Sequence, residues 1–151
     1  MFGNVSKAEW EAMKVKLERV LKKSPVFSQG NCFFESCAYK DLIAFTSDYQ
    51  SSLYPSLKIT TGITCSKKGL LTVEFGFPYD RSGSVYRMLD GNVEKLDRSK
   101  FSKVTWVTGD GSTFFRLEMT GTTPQNIESK AETLIGSAFS VIFDLVIPTF
   151  S

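Results

Sequence analysis

Apolar residues recur along this chain with more than one period. Between Ser6 and Lys23 the period is helical. Trp10, Met13, Leu17, Val20 and Leu21 make one stripe, and Lys14, Lys16, Glu18, Arg19, Lys22 and Lys23 lie off it. Ser6-Lys7-Ala8-Glu9 reads as a capping box: the Ser6 hydroxyl accepts the Glu9 amide, and the Glu9 carboxylate reaches back to the Ser6 amide. Val5 and Trp10 stand where a hydrophobic staple closes such a first turn. Lys22 and Lys23 suit the negative end of the helix dipole, and Ser24-Pro25 ends the run. The spacing predicts a helix over 6–23 with a basic, solvated outer face.

Pro25 to Gly30 reads as a link. Cys32 to Phe45 supports two periods. Phe34, Ala38, Leu42 and Phe45 fit a helix; Cys37, Tyr39, Ile43 and Phe45 fit a strand with Asp41 out of place. The helix is the preferred reading, and Ser47 to Pro55 is read as loop. From Leu57 the period is two. Leu57, Ile59, Thr61 and Ile63 alternate with Lys58, Thr60 and Gly62; Ser66-Lys67-Lys68-Gly69 turns the chain; Leu71 to Phe77 returns. Ser84–Leu89 and Val93–Leu96 flank Asp90-Gly91, a hairpin signal. Phe101–Val107 and Thr113–Met119 flank Gly109-Asp110-Gly111. The expectation is an antiparallel meander of about six strands over 57–120.

The last segment returns to helical spacing. Thr123-Pro124 is an N-cap followed by the residue best tolerated in a first turn. Ile127, Ala131, Leu134, Ala138, Ile142 and Leu145 follow at helical intervals. From Phe139 the pattern thickens until only Ser140 and Asp144 are polar, and Pro148 stops it. A segment apolar on more than one side must be buried on more than one side. This predicts a long apolar helix over 124–147. The stretch Phe139–Ile147 also alternates well enough for a buried strand, with Gly136-Ser137 as the break. Together the elements describe one α+β domain over 1–151: a meander packed against an N-terminal and a C-terminal helix.

Composition narrows the chemistry. At 151 residues the chain can bury a core without staples. The 13 phenylalanines must mostly lie in that core. A net charge of +2 is too balanced to make nucleic acid or an anionic membrane the expected partner. The absence of histidine removes Ser-His-Asp and Cys-His nucleophiles and His-ligated metals. Cys32, Cys37 and Cys65 have no zinc spacing and read as free thiols of a reducing compartment. With no secretory signal and too short an apolar run for a spanning helix, a soluble cytoplasmic protein is expected.

Gln29-Gly30-Asn31-Cys32-Phe33-Phe34 resembles the Asp-Gly-Asn-Cys-aromatic segment around the nucleophile of OTU-type deubiquitinases. The resemblance implies Cys32 as nucleophile at a helix start, where the dipole lowers a thiol's pKa. It covers about six residues, departs at Gln29, and lacks the late histidine base that the family uses. A loop-to-helix turn ending in a buried cysteine is the fuller account of these residues. Asp80, Asp90, Asp97 and Asp110 could suggest a hard-metal site, but they sit among turn residues and at no EF-hand spacing. Gly109-Asp110-Gly111 is a turn, and no phosphate-binding glycine loop occurs. Arg98, Lys100, Phe101, Lys103, Trp106, Phe115 and Arg116 interleave cations with aromatics. Alternation turns such aromatics to the core and such cations to solvent.

No catalytic, cofactor or metal residues are therefore assigned. The expected function is a non-catalytic protein-binding domain, an inhibitor, immunity-type or chaperone-like partner of another protein or of a second copy. Its candidate contact residues are Phe139, Phe143, Val146 and Phe150, the apolar surplus of the last helix. The alternatives are a carrier of an apolar small molecule between sheet and helix, and an enzyme using carboxylate or Tyr chemistry.

Overall fold

The computed structural model describes residues 5–23, 35–39, 42–50, 58–78, 83–109 and 111–150. Helix α1 (Lys7–Lys23) starts on the expected capping box: Ser6 N donates to Glu9 Oε1 at 3.1 Å, and Glu9 N donates to Ser6 Oγ at 3.1 Å. Its stripe of Trp10, Met13, Leu17, Val20 and Leu21 is buried, and Val5 packs against the same core.

Strands β1 (Glu35–Tyr39) and β2 (Leu42–Gln50) follow, so the helix preferred for 32–45 is corrected to strand over its described part. The reason is pairing. Ile43 and Phe45 bury on one side of β2, each opposite a β3 residue, and that ladder outweighs the local helical spacing. The loop read at 47–55 is corrected likewise for 47–50. These polar residues register against β3 (Lys58–Ser66), and Lys58 Nζ lies 3.1 Å from Asp48 Oδ2. Strand β4 (Leu71–Pro78) returns from β3 around Gly69, whose φ of 88° suits glycine alone.

The hairpin expected at 84–96 is instead helix α2 (Ser84–Glu94). Val85, Leu89 and Val93 recur every four residues and are all buried, a spacing that overrides the Asp90-Gly91 turn signal. A short 3-10 turn (Arg98–Lys100), capped by Asp97, leads into β5 (Lys103–Gly109) and β6 (Ser112–Met119). Four strands therefore lie within 57–120, and β1 and β2 join from outside it. Neighbouring strands are antiparallel throughout, in the order β1-β2-β3-β4-β6-β5. Helix α2 sits in the connection that carries the chain from β4 past β6 to β5.

Alternation gives the sheet two unlike faces. Ile63, Val73, Leu117 and the Thr61–Phe75–Phe115 row lie on the helix-bearing face and are buried. Thr60, Glu74, Phe114 and Arg116 lie on the other face, which no helix covers among the described residues.

The last helix, α3 (Ile127–Phe150), ties the helical layer together. It touches α1, α2, β4 and β6. Thr123 and Asn126 cap the turn before it: Asn126 N donates to Thr123 Oγ1 at 3.2 Å and Thr123 N to Asn126 Oδ1 at 2.7 Å. Arg19 of α1 lies 3.5 Å from Glu128, and Asn92 of α2 donates to the Val141 carbonyl at 3.1 Å. Ile127, Ala131, Leu134, Ile135, Ala138, Val141 and Ile142 are all buried, so the helix is enclosed along one broad face of its described side chains. Pro148 does not stop it at 147. In a last turn proline removes a single intrahelical bond, and the helix runs three residues beyond 147, to Phe150. Among the described residues no helix is long and apolar enough to cross a membrane.

Candidate functional site

Three surfaces compete for a functional role. The first is the second half of α3. The stretch Phe139–Ile147, for which a strand was the alternative, is helix. Phe139, Phe143, Val146 and Phe150 consequently recur at i, i+4, i+7 and i+11, one strip of a helix. It runs beside the strip that holds Ala138 and Ile142 in the core. Phe139 is half-buried and packs against the core edge. The side chains of Phe143, Val146 and Phe150 lie outside the described residues.

The second surface is the open sheet face. At its centre Arg116 donates to Glu74 Oε2 from Nε at 3.1 Å and from Nη2 at 2.9 Å. Its Nη1 lies 3.7 Å from Glu118, and its guanidinium stands 4.9 Å from the Phe114 ring centre. All these groups are partly exposed, so the charges contribute about 1 kcal/mol or less and arrange a surface rather than hold the fold. Around them lie Thr60, Thr64, Thr72 and Thr105, with Gly62 and Gly76 between. This is a polar, weakly charged face.

The third surface is the sheet edge at β5. Its inner side carries an aromatic stack: Tyr86 of α2 lies 4.7 Å from Trp106, nearly parallel at 10°, and Phe115 meets Trp106 edge-on at 5.6 Å. Trp106 Nε1 donates to Asp90 Oδ1 at 3.2 Å, fixing the indole against α2. On the open side Val107 is 51% exposed and stands next to Phe114 in register. At the strand's beginning Lys95, Arg98, Lys100 and Lys103 are exposed, with Glu94 and Asp97 among them. Asp97 is held below its usual carboxylate range, first by the Ser99 hydroxyl and then by the Ser99 amide. Sequence reading missed this edge because it placed Tyr86 and Asp90 in a hairpin. The helical repeat Val85, Leu89, Val93, buried in the fold, was the signal that could have found it.

The remaining residues singled out in the sequence do not converge. Cys32, Asp80 and Asp110, and the side chain of Cys37, lie outside the described residues. Asp90 is engaged by Trp106 and Asp97 by Ser99. Among the described residues no three Cys, Asp or Glu gather as metal ligands. Phe101 and Trp106 pack against the core and Phe115 is buried, so the interleaved aromatics face inward as alternation implied. Burial pushes the Cys65 thiol up to about 12, which leaves it protonated and unreactive near neutrality. No family model, curated protein or solved structure matches this chain.

Proposed function

We propose that this chain is a non-catalytic protein-binding domain, an inhibitor, immunity-type or chaperone-like partner of another protein, which it engages through the second half of α3. The observation that carries this reading is the helical course of 139–150. As a strand, the apolar surplus of that segment would vanish into the sheet. As a helix already anchored by Ala138, Val141 and Ile142, it has a second apolar strip to place. An amphipathic strip with anchors at i, i+4, i+7 and i+11 suits packing against a groove or helix of another chain.

The test uses the purified chain as bait for proteins of its native source, beside Phe143→Asp and Val146→Asp variants. The expected result is a partner retained by the parent chain and lost from both variants, with melting temperatures within a few degrees of the parent. Retention of the partner by both variants would sink the reading. So would a collapse in melting temperature, because the strip would then be interior to this chain. Light scattering after size exclusion separates a foreign partner from a second copy.

A further inference from the structure

Beyond the α3 strip, we propose that the free edge of β5 is a second binding site. It takes an extended segment of a partner protein as an added antiparallel or parallel strand, with carboxylates of that segment lying against Lys100 and Lys103.

An edge strand presents a row of unpaired amides and carbonyls, and proteins ordinarily blunt such edges with proline, bulges, charge or cover. Among the described residues strand β5 has no proline, no bulge and no covering strand, and it carries a single charge. It pairs with β6 without a break from Lys103↔Glu118 to Gly109↔Ser112, it holds no proline, and its one charge is Lys103 at the first position. No described element lies beyond it in the sheet. Its last three residues, Val107, Thr108 and Gly109, are all exposed.

Strand addition also needs side-chain footing on both faces, because alternate residues of the added strand point opposite ways. The edge offers two unlike footings. On the helix-bearing face the Tyr86–Trp106 stack stands half-buried at the margin, held by Asp90. On the open face Val107 stands exposed in front of Phe114. An added segment that alternates β-branched or aromatic residues would cover both.

Charge picks the kind of segment. Arg98, Lys100 and Lys103 are exposed around the start of β5. Of the nearby carboxylates, Asp97 bonds Ser99 and also attracts Lys100, Glu94 is exposed, and Glu118, opposite Lys103 in register, lies 3.7 Å from Arg116, so the four cations Lys95, Arg98, Lys100 and Lys103 face three carboxylates. A segment bearing Asp or Glu at the end beside Lys103 meets cations that these groups leave only partly neutralised.

The experiment pans a displayed library of random short peptides against the whole chain and titrates the recovered peptides. The expected peptides alternate β-branched or aromatic residues and carry carboxylates toward one end. Val107→Lys, and separately Lys100→Glu with Lys103→Glu, should each weaken them about tenfold or more. Bound peptide should slow hydrogen exchange at alternate amides of β5, a signature that surface adhesion lacks. Recovery of no peptide overturns the proposal, as do peptides indifferent to Val107→Lys. Peptides that protect α3 and are lost on Val146→Asp uphold the α3 reading while overturning this one. The opposite pattern upholds the edge alone. A concentration-dependent dimer abolished by Val107→Lys would put a second copy on the edge and overturn the acidic-segment assignment.

Discussion

Cys65 shows how one side chain reports the core it sits in. It lies on the helix-bearing face of β3, opposite Ile43 and Leu71, fully buried. Burial disfavours the thiolate and raises the thiol from 9.0 to about 12. The folded chain therefore keeps this proton where the unfolded chain gives it up. Stability linked to Cys65 is fully present below pH 9.0 and is lost as pH rises toward about 12. The added slope is at most about 1.4 kcal/mol per pH unit. Urea titrations of the parent and of Cys65→Ala across that window should converge as pH rises; parallel curves would show that the thiol is not desolvated. In a background with Cys32 and Cys37 replaced by Ser, Cys65 should resist thiol reagents until the chain unfolds. The sequence singled out Cys32, by its Gly30-Asn31 turn, rather than Cys65, whose burial follows only from its pairing with Ile43 and Leu71.

At the scale of elements, α1 and the start of α3 are legible because their signals are local. Ser6, Glu9 and the Trp10–Leu21 stripe lie within one helix, and Thr123 caps its own next turn. The strands from Lys58 to Pro78 are legible for the same reason: a clean alternation bounded by a glycine turn. What fails is decided at long range. Residues 42–50 become a strand because β3 is beside them. Residues 84–94 become a helix because Val85, Leu89 and Val93 have a core to fill, whatever Asp90-Gly91 would do alone. The candidate sites divide the same way. The α3 strip is visible in the spacing of its apolar residues, whereas the β5 edge exists only once strand order is known. Gly91 separates the two accounts of 84–94 experimentally. It lies inside α2, and a Cβ built there meets nothing within 4 Å. Gly91→Ala should therefore stabilise the chain by about 0.5–1 kcal/mol through helix propensity. In an Asp-Gly hairpin turn, where glycine supplies a positive φ, the same change would destabilise. A lowered melting temperature for Gly91→Ala would rule out the helix.

At the scale of the whole molecule, the three described helices depend on one another through α3. Helix α1 is joined to its beginning by Arg19–Glu128 and by Lys16 Nζ, which donates to the Pro124 carbonyl at 2.8 Å. Helix α2 is joined to its later half through Asn92 and Val141. A continuous buried cluster runs from Trp10 of α1 through Phe75 and Leu117 of the sheet to Leu89 of α2 and Ile142 of α3. Neither outer helix can leave without exposing α3, and α3 cannot leave without exposing β4 and β6. This geometry makes one cooperative unit, for which a single unfolding transition follows. The chain carries its own probes, since its 2 tryptophans lie on different elements, Trp10 within that cluster and Trp106 packed against it. Trp10 is buried on α1, and Trp106 is half-buried between β5 and α2. Trp10→Phe and Trp106→Phe leave one reporter each. Urea unfolding followed by fluorescence in these two variants should give the same slope, with midpoints that differ only by the stability each substitution removes. Circular dichroism of the same samples measures that stability independently. An earlier fluorescence midpoint for Trp106 than for the backbone signal would mean that β5 and α2 detach first. The sheet edge would then open before the core, and the two proposed binding surfaces would belong to units that fold separately.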